Sequence, residues 1–238
     1  MTRPLCEFNA AWAIDGFEAL EKSIKEAMRF VPYCEAHREV WSPIFAECVL
    51  NACSQLDSLW RAEARLLHGK NGSSLTITDY FKLFRKQVTE GRWVLFWGET
   101  GEKVAPFLPW EDSNMYMPLP WWQAYTKLKH DRWGNVTEGT FERCVHAAAA
   151  LFLGICRSGI CCEAVVGSGW PSWDILSLNP MDLVDETHDG RPRHLVLETG
   201  CFTYPREWCQ LDPRSIGYIE SASPRFQTWL TQQQKRNA

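Results

Sequence analysis

The chain has 238 residues, a formal charge of −4 and 45% hydrophobic residues, so it is long enough to bury a core without disulfides or a metal. Its mild acidity excludes the global basic footprint that holds duplex DNA by counterion release. The longest apolar stretch, Ala147 to Cys156, is far short of a bilayer span, and Met1 to Gly16 lacks the basic-then-apolar order of a leader, which predicts a cytoplasmic protein with no membrane partner.

The first helix is expected to open at Asp15-Gly16-Phe17-Glu18, which has the spacing of a capping box. It runs to about Phe30, with Phe17, Leu20, Ile24 and Met28 on one face. Pro32 stops it. Ser42-Pro43 reads as N-cap and N1 of a long helix in which Phe45, Val49, Ala52, Leu56, Leu59, Trp60 and Leu67 recur at helical spacing until Gly69. The two helices should pair antiparallel. Thr78 is expected to cap a short helix carrying Tyr80, Phe81, Phe84 and Val88.

Between Arg92 and Leu108 an aromatic run, a Gly-Glu-Thr-Gly break and a second short run predict a small hairpin or an ordered loop. Pro118 and Pro120 introduce a helix from about Trp121 to His130, and Gly134-Asn135 breaks it. The next helix, about Thr140 to Arg157, contains the run Ala147 to Ala150. Small side chains allow close helix approach, so this helix is the natural centre of a bundle. After Gly159 helical periodicity fades. Strands are expected at His194 to Glu198 and Ile216 to Ile219, followed by a terminal helix from about Pro224. The fold class predicted is therefore mainly α, a helical bundle over residues 1–159 with a small α+β extension over 160–238.

The ten cysteines contain no C-x-x-C pair, and buried reduced thiols are the favoured reading. A zinc site from Cys161, Cys162, Cys201 and Cys209 is the less favoured alternative, because the spacing matches no usual ligand arrangement. The acidic segment Asp182, Asp185, Glu186, His188 and Asp189 reads as an exposed loop more readily than a cation site. Nucleotide loops, the nucleophile-elbow motif and zinc-protease motifs are absent, and no cofactor is implied. Six of the thirteen tryptophans, Trp110, Trp121, Trp122, Trp133, Trp170 and Trp173, fall in expected loops or helix starts. Packing is the favoured role for them and a stacking platform the alternative.

The densest chemical segment is Trp121 to Arg132, where Lys127, Lys129, His130 and Arg132 gather positive charge at a helix C-terminus. A macrodipole favours cations there, and such a patch could receive a phosphate. The competing reading is that these cations cap the helix and pair with Asp131, Glu138 or Glu142 across the turn.

A helix pair, an aromatic loop, W-W-x-x-Y-x-x-x-K-H-D-R, a turn and the alanine-rich helix together resemble the HEPN-like helical superfamily, over roughly Phe8 to Arg157. The resemblance implies a homodimer that is either a metal-independent endoribonuclease of bacterial phage defence or stress response, or a non-catalytic module binding RNA or a partner protein. In the superfamily's nuclease motif four to six residues separate an Arg from a His that serves as general base. Arg132 is the positional candidate, yet no histidine follows at that distance. Arg61 and His68 have the spacing, at a frequency chance supplies. The implied catalytic set is therefore His130 and Arg132 with His146 from the next helix, and the implied substrate-binding set is Lys127, Lys129, Trp122 and Tyr125.

Overall fold

The computed structural model describes residues 8–69, 75–89, 95–97, 102–111, 113–171 and 196–205. It is mainly helical, with seven α-helices and a small antiparallel sheet among the described residues. Helix α1 spans Ala10–Met28 and is capped by Asn9, whose side chain accepts from the Ala11 N–H at 3.0 Å. The helix thus starts five residues before Asp15, and the Asp15–Glu18 capping box is not used. A competent cap at Asn9 and the buried Ile14, one turn before Phe17, extend the apolar stripe backwards. Helix α2, Pro43–His68, begins and ends where expected. The Ser42 hydroxyl accepts from the Phe45 N–H at 3.2 Å, and Gly69 closes it in the left-handed region at φ 58°. Gln55 of α2 donates to the Gly16 carbonyl, while Tyr33, beyond the end of α1, shares Phe141 with Phe45 at the start of α2. That is the antiparallel pairing.

Helix α3, Ile77–Thr89, starts ahead of Thr78, because the Asp79 carboxylate accepts from both the N–H and the hydroxyl of Thr76, at 2.9 and 2.7 Å. Strands β1, Phe96–Trp97, and β2, Glu102–Lys103, form the expected hairpin. A four-residue helix α4, Leu108–Glu111, follows, then α5, Pro120–His130, and α6, Phe141–Cys156. Helix α7, Cys162–Gly167, lies where periodicity had faded.

Helix α6 lies in the middle. Every residue from Ala147 to Cys156 is buried, and a Cβ added to Gly154 would stand 2.6 Å from a methyl of Leu56. Small residues at this crossing let the two backbones approach. Trp60 of α2 anchors the other side of the core, its ring within 6.3 Å of Tyr80, Phe84, Phe107, Trp110 and Trp122. Trp110, Trp121, Trp122 and Trp170 are all buried. Three of these indoles find acceptors: Trp110 donates to Met117 O, Trp121 to Pro106 O and Trp170 to Glu18. Packing is therefore their role, and Trp133 alone of the five described loop tryptophans is exposed.

The sheet has the order β2-β1-β4-β3, with β3 at Val196–Glu198 and β4 at Phe202–Pro205. Trp97 of β1 faces both Glu102 and Phe202 across the ladders. Phe202 stacks on Phe152 of α6 at 5.8 Å and packs edge-on against Trp97. β4 is a central strand of the sheet that β1 and β2 begin, so the described part of the C-terminal region pairs with the strand at Phe96–Trp97. The expected strand at 216–219 and the terminal helix lie outside the described residues.

Two buried carboxylates tie this core together. Glu21 of α1 takes the Thr199 hydroxyl at 2.5 Å, the Cys201 N–H at 2.7 Å and the Gly200 N–H at 2.9 Å, clamping the β3–β4 turn onto the bundle. Glu63 of α2 is 1% exposed and accepts from Gln87 at 3.1 Å and from the Gly159 N–H at 3.0 Å through one oxygen, with the Ser158 side chain also hydrogen-bonding to the carboxylate. Burial raises the pKa of both acids against these hydrogen bonds.

Glu21→Ala strands three donors at the turn and should lower stability by about 3 kcal/mol, read by urea denaturation; an unchanged midpoint would show that the clamp is idle. For Glu63 the folded chain holds a proton above the ordinary value of 4.5, so its contribution to stability is present below that pH and is lost as pH rises through the folded pKa. Glu63→Gln, which keeps the accepting oxygen and carries no charge, should leave stability at pH 7 equal or higher and flatten its fall with pH.

Candidate functional site

Helix α5 presents its apolar stripe, Trp121, Trp122, Ala124, Tyr125 and Leu128, to the core. That leaves Lys127, Lys129 and His130 on the outside. The helix stops because Asp131 turns to extended geometry, φ −148° and ψ 90°. Its carboxylate then accepts from the Gly134 N–H at 2.9 Å, and the Asn135 amide donates to the carbonyls of Lys127 and Asp131, at 3.3 and 2.8 Å. These bonds satisfy the acceptors a helix end leaves open. They also reserve Asp131 for the turn.

The loop continues into a 3-10 turn, Val136–Glu138, seated on the start of α2. A Cβ on Gly139 would stand 2.5 Å from the backbone of Ala46, so glycine permits this contact. Glu138 receives Lys127 at 2.6 Å and also pairs with Arg143. The Lys127 hydrogen bond, with Arg143 adding to it, holds the Glu138 carboxyl below its ordinary range. Arg132 crosses to Glu47 on α2 and forms an ion pair, both side chains about half exposed. Lys129 sits over the Tyr125 ring at 5.4 Å. His130 is exposed and makes no hydrogen bond or ion pair among the described residues.

His146 belongs to a different cluster. It lies near Arg38, in the connection from α1 to α2, and Arg38 pairs with Glu102 of β2 and stands 3.7 Å from Glu142 of α6. The backbone of the same connection joins α6, Glu142 N–H donating to Arg38 O at 3.0 Å. Burial, with Arg38 adding to it, lowers the His146 pKa to about 4, so the ring is neutral at pH 7 and a weak base. No hydrogen bond, ion pair or ring contact joins His146 to His130 or Arg132 among the described residues.

Of the expected substrate-binding residues, Lys127 is engaged by Glu138, and Trp122 and Tyr125 are buried in the core face of α5. The two rings therefore offer no open stacking platform, a correction that follows from the apolar stripe of α5 being needed by the core. Arg61 is held by Asp57 on its own helix at 3.0 Å, and the His68 ring packs against Phe84. The described cysteines are free thiols, and no group of three or more His, Cys, Asp or Glu side chains among the described residues is arranged to hold a metal. Cys209 and the acidic segment at 182–189 lie outside the described residues.

Sequence reasoning missed the Arg38–Glu102–Glu142 cluster, since Arg38 and Glu102 are 64 positions apart with no local signal. It also missed that Val40, Trp41 and Ile44 are exposed. No helix among the described residues is long and apolar enough to cross a membrane. Comparison with protein-family models, with curated proteins and with solved structures finds no match to this chain.

The His146 shift carries a pH signature. Between about pH 6.5 and 4 the unfolded chain takes up a proton that the folded chain refuses, so this histidine favours folding at neutral pH and that contribution is lost as pH falls through the window. His146→Gln should flatten the acid limb of the stability curve there; an unaltered limb would mean that the ring titrates as it does in the open chain.

Proposed function

We propose that this chain is a non-catalytic protein-interaction and self-association module of HEPN-like type, cytoplasmic, whose K-H-D-R segment is a built helix terminus. One observation carries this reading: Lys127 and Arg132 are already paired with the protein's own Glu138 and Glu47. A site that must meet a scissile phosphate needs its guanidinium free and its base within reach of the same atom. Here Arg132 is turned to α2, while the neutral His146 lies by Arg38.

A second reading, an RNA-directed protein of bacterial defence with metal-independent endoribonuclease activity, is favoured by Lys129 and His130, which are exposed and have no acidic partner among the described residues. Exposed ion pairs contribute little, about 0–1 kcal/mol, and a phosphate could displace them.

The two readings separate in one assay. Purified protein incubated with single-stranded RNA in chelator should leave the RNA intact, and binding should be weak and vanish with salt. Cleavage abolished by His130→Ala combined with Arg132→Ala would overturn the non-catalytic reading.

A further inference from the structure

We propose that the cavity between the start of α1 and the middle of α2 is a binding site for a small, uncharged aromatic molecule that carries an N–H or O–H donor. Such a site shares no residue with the turn after α5 and stands apart from the interaction reading above.

The cavity measures about 330 Å³, inside the range of small-molecule sites, which begins near about 300 Å³. Leu59 of α2 and Leu151 of α6 line it from the core, and both are buried. Ala13 and Ser54, both small, leave space between α1 and α2 that longer side chains would close. Two rings, Phe8 and Trp12, complete the apolar lining. Trp12 is 61% exposed. An indole that far in water beside an apolar hollow is covered once the hollow is filled, and that burial favours an occupant.

The lining selects the occupant's chemistry. Its polar groups come from Asn9, Ser54, Gln55 and Ser58, and no Asp, Glu, Lys, Arg or His lines the cavity among the described residues. An ion entering would lose hydration with no counter-charge to replace it, so the occupant is neutral. Gln55 sets the hydrogen bond. Its amide nitrogen spends both hydrogens, on Gly16 O at 3.2 Å and on Asn51 Oδ1 at 2.7 Å, which leaves Oε1 an acceptor with no donor among the described residues. A Cβ on Gly16 would collide with this amide, so glycine admits it. The Ser58 hydroxyl spends its hydrogen on Ser54 O at 2.8 Å and likewise can only accept. The occupant must therefore bring a donor. The Phe8 and Trp12 rings favour a flat aromatic body over an alkyl chain, because ring pairs attract beyond the area they bury.

The test uses N-phenyl-1-naphthylamine, a neutral aromatic amine with one N–H whose fluorescence rises in apolar surroundings. Titrating the wild-type chain into it should give a saturable signal with a Kd of about 10 μM. The sulfonated analogue, which adds a negative charge, should bind about tenfold more weakly or worse. Replacing the amine hydrogen with a methyl group should weaken binding about fivefold, since Gln55 then meets no donor. Trp12→Ala removes one ring and Ser54→Phe fills the hollow. Each should weaken the neutral amine about tenfold or more, with unchanged melting temperatures showing that both variants fold. No saturable signal up to about 100 μM chain would overturn the proposal. So would equal affinity for the sulfonated or the N-methyl compound, or undiminished binding to either variant.

Discussion

The close crossing of α2 and α6 is the constraint on which the remaining structure depends. Helix α6 carries Ala147, Ala148, Ala149, Ala150 and Gly154 where it meets its neighbours, and Gly154 lies directly under Leu56. Two backbones this close gain dispersion contacts that larger side chains would hold apart. With that crossing set, the aromatic side of α2 faces outward around Trp60 and must be covered. Helices α3, α4 and α5 supply the cover with Tyr80, Phe84, Trp110 and Trp122. The tryptophan richness is thus largely a solution to filling a wide gap with few side chains.

The sheet is attached by a different kind of force. Four short strands could not hold together unaided in water. They are held by Phe202 stacking on Phe152 and by the Glu21 clamp, which places one carboxylate under three donors at the β3–β4 turn. A buried acid is costly unless its lone pairs are used, and here the cost is offset by satisfying a turn that would otherwise leave N–H groups inside the core. The result is that residues more than a hundred positions apart, in β1 and β4, form one ladder.

Around the end of α5 the charges are arranged for geometry. Glu138 gathers Lys127 and Arg143, Asp131 and Asn135 close the helix, and Arg132 reaches α2. Of these contacts Arg132–Glu47 reaches α2, where Gly139 also rests on Ala46. Trp133 of this loop is exposed to solvent.

The sequence by itself determined the long helices and the ends of α2, while the start of α1 at Ala10 escaped it. Ser42-Pro43, Gly69, Pro120 and Thr140 are local signals whose physics acts within a few residues, and the alanine run announced the central helix. It also showed that the nuclease spacing after Arg132 is broken. The tertiary structure alone decided which carboxylate takes which cation, since Lys127, Arg132 and Arg38 each had several acids within reach along the chain. It decided that Trp122 and Tyr125 face inward while Trp133 and Trp41 face outward, because that depends on which neighbour covers a helix and not on the helix's own period. The strand β4 was likewise invisible, as Phe202 to Pro205 gains its hydrogen bonds from β1, a partner far away in sequence. Local signals write elements; pairing, burial and charge partnership arise only when those elements meet.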